Sequence, residues 1–406
     1  MKTDFRRKVL KNNMTVLFEK RDLPVVSVMF AVRNGGVNET ENEKGISHFI
    51  EHMLYKGTPS RNAKKIAEEI ERNGGELNGF TEESITAYWC KIPSDKLKIA
   101  LEVLGDMVKN PLFDEKELEK ERKVIFEEIK MRKDIPAVFV IDEIKNQLYE
   151  KPFGPSLIGT YETMSSIDRK KIVEKFKKIY TPNNLILCVV GDADFDEIVN
   201  FAEKNFGDEK SSVPQLKIKL KNNQKIFKRK GIDQANLVFA YHVPLAENKL
   251  NYAARVLNVL MAGGMSSRLF EEIREKRNLA YAIKGESDIA KNYSYNLIYV
   301  GTTPENVEKV KKLILKEFEK VSKNLSEKEL NSVKTQMIGN YKIAVEDSQL
   351  QMVELVSHEV DGDAEEFYEY GNNVKKVKVE DVKKIAADVL KKNSFVALVP
   401  EVEKAV

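Results

Sequence analysis

His48, Glu51 and His52 limit what the surrounding chain can be, because they act together only if residues 48–52 form a helix. Residues four apart on an α-helix differ by about 40° around the axis, so both imidazoles project from one face. Glu51 flanks the same spot. Two imidazoles on one face are what a zinc ion takes, and a carboxylate beside them is placed to accept a proton from water. The chain holds only four histidines. The other two, His242 and His358, lack ligand spacing and are assigned to structure. The plainer reading is an amphipathic helix with two polar residues turned inward. It leaves unexplained why half of the histidines flank a glutamate at this spacing.

A zinc site that keeps one position open for water needs a third protein ligand. Glu115 to Asp134 reads as a long helix, with Leu118, Val124, Ile125 and Ile129 as its apolar stripe. Glu121 and Glu128 lie two turns apart on one face, whereas Glu127 points about 100° away and reads as solvated. Spacing alone leaves a glutamate on such a Lys/Glu-rich helix as surface decoration.

H-x-x-E-H is the reverse of H-E-x-x-H and marks the inverted zincins. With Glu-Arg-Lys-Val-Ile-Phe-Glu-Glu-Ile over residues 121–129, it resembles the pitrilysin and insulinase family, which includes the mitochondrial processing peptidases. The resemblance spans nearly the whole chain: residues 34–45, His48 to Thr58, and the glycine turn and exposed strand of 74–81. In the second half it takes in Gly263 to Phe270 and Arg274 to Tyr281. It implies Glu128 as third ligand and Glu121 as the carboxylate that orients a ligand from behind. It also implies that Arg274 and Tyr281 contact bound substrate. One departure is Asn278, where the signature has Gly. Asn tolerates a left-handed turn, so no loss is expected.

Apolar strands and Lys-rich helices alternate along the chain, and the closing unit occurs twice. Residues 168–180 with 185–190 recur as 380–392 with 395–399. Other expected strands are 15–18, 25–32, 85–92, 237–243 and 281–285. Expected helices include 63–72, 95–108, 138–149, 251–261, 267–277 and 304–320. Residues 207–224 are polar, contain Pro214 and read as a linker. The expectation is an α+β protein of two similar, duplicated domains, 1–206 and 225–406, each a mostly antiparallel sheet backed by helices.

With 67 basic and 64 acidic residues, nothing points to a nucleic-acid or membrane-surface partner. Cys90 and Cys188 sit in apolar runs and read as buried free thiols of a reducing compartment. No apolar span is long enough to cross a bilayer and no apolar signal core is seen, so a cytoplasmic location is expected.

The function expected is zinc-dependent endopeptidase action on short or unfolded peptides, with one zinc per chain held by His48, His52 and Glu128. Glu51 activates the water. Tyr281 and Arg274 hold substrate carbonyls. The strand after Gly74-Gly75 receives the peptide by edge pairing, Asn78 fixing its main chain and Phe80 lining a side-chain pocket. In four-domain relatives the zinc domain faces the last domain across a closed chamber. A two-domain chain reproduces that by pairing, which implies a homodimer enclosing a chamber. A dedicated precursor-processing peptidase and a non-catalytic partner subunit are the alternatives.

Overall fold

The computed structural model describes residues 4–401; the outermost ends of the two expected domains, 1–3 and 402–406, lie outside the described residues. In chain order the first half contains β1 (Phe5–Val9), β2 (Thr15–Lys20), β3 (Val25–Val32), α1 (Ile46–Leu54), α2 (Ala63–Glu71), β4 (Glu76–Thr81) and β5 (Thr86–Pro93). There follow α3 (Leu97–Lys109), α4 (Glu115–Asp134), α5 (Pro136–Leu148), α6 (Tyr161–Ser166), α7 (Arg169–Ile179), β6 (Leu185–Gly191) and α8 (Phe195–Asn205). The second half has β7 (Gln224–Arg229), β8 (Ala235–His242), α9 (Asn251–Ala262), β9 (Ala280–Ile289), β10 (Ser294–Thr302) and α10 (Val307–Asn324). It closes with α11 (Glu327–Ala344), α12 (Ser348–Asp361), α13 (Glu366–Lys376), α14 (Val379–Lys391) and β11 (Ser394–Pro400).

Two sheets result, with orders β1-β2-β6-β3-β5-β4 and β7-β11-β8-β10-β9. In the first sheet β2 runs parallel to β6, in the second β7 runs parallel to β11, and all other pairs are antiparallel. The two sheets therefore share one strand plan, to which the first adds β1. This is the duplicated, mostly antiparallel α+β architecture expected from the sequence.

Contacts divide the chain into two units: 1–129, 157–217 and 343–367 against 130–156, 218–342 and 368–406. A single cut at 207–224 misses an exchange. Helix α5 lies on β8 and β11 of the second sheet, and α12 lies on β3 and β6 of the first. The reason is that β3 and β6 are apolar on both faces and almost wholly buried, so each face must be covered. Helix α12 supplies Met352, Leu355 and Val356 for one of them. It is pinned there by a Ser27–Ser348 hydroxyl pair at 2.9 Å. Buried Glu359 also accepts from Arg7 at 2.8 Å and from Arg33 at 2.8 Å.

Other details differ from the sequence reading. Gln224, counted in the linker, begins β7. The helix expected over 267–277 has a π-helical turn at Phe270–Glu275. Val124 is 45% exposed, and the inward stripe of α4 is Leu118, Glu121, Ile125 and Ile129. Cys90 and Cys188 are buried and unpaired, as expected. Asn278 adopts φ 52°, the left-handed conformation that the glycine of the signature would take. No helix among the described residues is long and apolar enough to cross a membrane.

Candidate metal centre

Helix α1 is placed by its first turn. Gly45 caps it at φ 93°, a conformation that favours glycine, and an added Cβ would fall 2.7 Å from the Ile158 carbonyl oxygen. The fully buried Glu39 carboxylate takes the place of a capping side chain. It accepts from the backbone N–H groups of Gly45 at 3.0 Å and Ser47 at 2.8 Å. Phe49, Ile50, Met53 and Leu54 bury the inner face, which leaves His48, Glu51 and His52 along the other flank.

His48 and His52 meet Glu128 of α4, and among the described residues these three form the one cluster whose donor atoms could hold a metal ion. The two Nε2 atoms face each other at 3.2 Å. Glu128 Oε2 lies 3.6 Å from His48 Nε2, and Glu128 Oε1 lies 3.7 Å from His52 Nε2. Donors bound tetrahedrally at ordinary Zn–N and Zn–O lengths sit about 3.3 Å apart, so the spacing fits a zinc ion. The two histidines and one carboxylate are also a donor set that leaves a fourth position open.

Glu121 stands behind His52, its Oε2 at 3.0 Å from Nδ1. A carboxylate only accepts, so Nδ1 carries the hydrogen and the Nε2 lone pair is left for a metal. Lys56, one turn beyond His52, donates to the other Glu121 oxygen at 2.7 Å. Burial alone would raise the pKa of Glu121, but these two hydrogen bonds hold it below the ordinary carboxylate value. Glu127 is exposed, on the face the helical spacing assigns to it.

Glu51 is set between α1 and β4, with its carboxylate pKa raised by burial despite a hydrogen bond from Thr81. Thr81 Oγ1 donates to Glu51 Oε2 at 2.8 Å. Gly79, two residues earlier on the same face of β4, leaves room for this packing. A Cβ there would lie 2.4 Å from the Tyr55 hydroxyl and 3.4 Å from Glu51 Oε1. Asn78 and Phe80 alternate onto the opposite face of β4, and Asn78 Oδ1 accepts from the Gly79 N–H at 2.8 Å. The sequence reading named neither Thr81, Lys56 nor Glu39 as part of the site. Thr81 and Lys56 act through hydrogen bonds between distant segments, and Glu39 through bonds to the backbone six and eight residues on; helical spacing reveals none of them.

Arg274 and Tyr281 belong to the second unit. The Arg274 guanidinium lies over the Phe270 ring at 4.7 Å, and Tyr281 is 52% exposed at the start of β9. His242 Nε2 donates to the Lys221 carbonyl at 3.0 Å, and His358 lies edge-on to Phe367. Neither is near a ligand cluster, in line with a structural role.

The shared strand plan puts α9 of the second unit where α1 stands in the first. There, Gly285 of β9 lies under Asn258 and Ala262, as Gly79 lies under Glu51 and Tyr55. Asn258 Nδ2 donates to Ser287 Oγ at 3.1 Å, the counterpart of the Thr81–Glu51 bond. On that register Arg255 and Val259 occupy the places of His48 and His52. The second unit thus keeps the scaffold and lacks the donors.

Two family models match the chain. Residues 15–161 match the model described as insulinase (peptidase family M16), and residues 166–337 match the one described as peptidase M16 inactive domain. A protein of Rickettsia felis named as an uncharacterized zinc protease is 33% identical over 353 residues, covering 85% of each chain. The Bacillus subtilis protein named uncharacterized zinc protease YmxG is 32% identical over 350 residues, covering 85% of this chain and 84% of its own. Among solved structures, a protease from Helicobacter pylori superposes with a TM-score of 0.92 at 24% identity, over 98% of this chain and 100% of that one. A protein described as peptidase M16 inactive domain from Pseudomonas fluorescens gives 0.87 at 18% identity, over 99% of both chains. The chain belongs to the insulinase family, peptidase family M16.

Proposed function

We propose that this chain is a zinc-dependent endopeptidase that cleaves short or unfolded peptides. The observation that carries this is the three-donor cluster of His48, His52 and Glu128 with the Glu51 carboxylate beside it on the same helix. Zinc, when bound, polarises a peptide carbonyl and makes water acidic enough to attack it near neutral pH. Glu51 accepts the proton of the attacking water and delivers it to the leaving amine. Glu121 holds His52 in the tautomer that can bind metal. Strand β4 is the outer strand of its sheet, which supports pairing with an extended peptide through main-chain hydrogen bonds. Asn78 then fixes a substrate main-chain group and Phe80 lines a side-chain pocket. Arg274 and Tyr281 hold substrate carbonyls, supplied by the other subunit of a homodimer that encloses a chamber.

A non-catalytic subunit would be expected to have lost donors, as α9 has in the second unit; α1 and α4 retain all of them. Action on one dedicated precursor would use the same chemistry. Peptide-mixture cleavage separates it, since broad cutting supports general degradation and a single cut supports processing.

The purified protein is expected to hold about one zinc per chain, measured by atomic absorption. A chelator should abolish peptide cleavage without a change in circular dichroism, because each unit has an apolar core of its own. A metal-free protein with undiminished cleavage in chelator would overturn the reading. Glu121→Gln should weaken zinc binding by about ten- to a hundredfold, read by competition with a chromogenic chelator.

A further inference from the structure

We infer that Thr81 is a positioning residue for the general base, fixing the Glu51 carboxylate so that one oxygen is held and the other is presented for proton transfer. This rests on the reading of Glu51 given above. The Thr81 hydroxyl donates to Glu51 Oε2 at 2.8 Å, which leaves Oε1 as the oxygen not engaged by it. A long side chain beside a reaction centre loses rate when its geometry is loose, and misplacement of the order of 1 Å can cost about a hundredfold.

Thr81 is itself well held. It is the last residue of β4, paired with Thr86 of β5. The turn that follows is closed by the Glu82 N–H to the Ile85 carbonyl at 2.8 Å. Thr86 is tied in turn to the Asn34 carbonyl at 3.0 Å. A β-branched side chain on a strand has few rotamers, so the hydroxyl has a defined direction. Gly79 lets the Tyr55 hydroxyl pack against the strand beside Glu51, since a Cβ there would lie 2.4 Å from that oxygen.

The second unit supplies an internal control. Asn258 and Ser287 link the corresponding helix and strand at 3.1 Å, with the helix amide donating to the strand hydroxyl, where no base is present. Part of the bond is therefore scaffold, joining the helix to the outer strand in either unit. What is particular to the first unit is that the acceptor is the group assigned to move the proton. A scaffold role would appear as lost stability or lost metal, and a positioning role as lost turnover with both retained.

The test uses the full-length, zinc-loaded protein and a fluorogenic peptide. Thr81→Val keeps the branch and removes the donor; Thr81→Ser keeps the donor. Thr81→Val should lower kcat about tenfold or more, with KM within about twofold and zinc per chain unchanged. Thr81→Ser should keep kcat within about threefold of the parent. In a Glu51→Gln background, Thr81→Val should cause no further fall, and peptide affinity measured by fluorescence anisotropy should not move. If Thr81→Val melts below the assay temperature, Thr81→Ala takes its place with the same expected split.

Parent-like kcat in the hydroxyl-free variant, an equal fall for Thr81→Ser, or loss of zinc along with activity would each overturn the inference. Failure of the underlying reading looks different: the parent protein would show no zinc-dependent cleavage, or Glu51→Gln would remain fully active.

Discussion

Glu51→Gln is expected to reduce turnover by on the order of a hundredfold or more while zinc content and peptide affinity stay near those of the parent. The amide matches the carboxylate in size and can still accept from Thr81, but it cannot take a proton from water at neutral pH. Glu128→Gln should fail differently. It removes an anionic donor lying within 3.7 Å of both imidazoles, so zinc content should fall first and activity with it. Glu127→Gln, on the exposed face of α4, should change neither. Measuring kcat, KM and zinc per chain on the three variants separates the roles. Equal effects from Glu127 and Glu128 would mean that the inward face of α4 had been misassigned.

The second large effect is recovery of activity by mixing inactive proteins. If the chain pairs as proposed, His52→Ala and Arg274→Ala dimers should each be nearly inactive, the first for want of a ligand and the second for want of the proposed substrate contact. The metal donors lie in one unit and Arg274 with Tyr281 in the other. In a two-fold dimer with composite sites, each site would take its zinc unit from one chain and its Arg/Tyr unit from the other. Co-refolding the two variants then yields mixed dimers with one intact site, made from the zinc unit of the Arg274→Ala chain and the second unit of the His52→Ala chain. Peptide cleavage should partly return, in proportion to the mixed species resolved by differential tagging. Mixed dimers that form and stay inactive would mean that the site is complete within one chain or does not use Arg274.

What could be read in the sequence followed from short-range geometry. The helical period places His48 and His52 together and puts Glu121 and Glu128 on one face of α4, and both relations hold in the structure. The apolar runs of β3, β6, β8 and β11 announce themselves because buried strands tolerate little else. Val124 shows the limit of that reasoning. It fits an apolar stripe by composition, yet lies 45% exposed because the buried Glu121 sets the inward face of α4. Helices α11 to α13 escaped notice for a related reason; α11, for example, buries only Leu330, Val333 and Met337, too sparse a set to stand out among polar residues.

By itself, the sequence determined the helix that carries His48, Glu51 and His52, the candidate third ligand once its resemblance was admitted, and the left-handed turn that Asn278 could replace a glycine to make. Each depends on a residue and its near neighbours along the chain. The tertiary structure alone decided the exchange of α5 and α12 between units, the Lys56 and His52 bonds to Glu121, and the Thr81 hydroxyl on Glu51. Those depend on which distant surfaces meet. Periodicity says that a face is apolar or that a donor is present, but not which of several compatible partners will cover or accept it. That choice is made by packing of the whole unit, where burying both faces of a sheet and satisfying each enclosed polar group leave one arrangement.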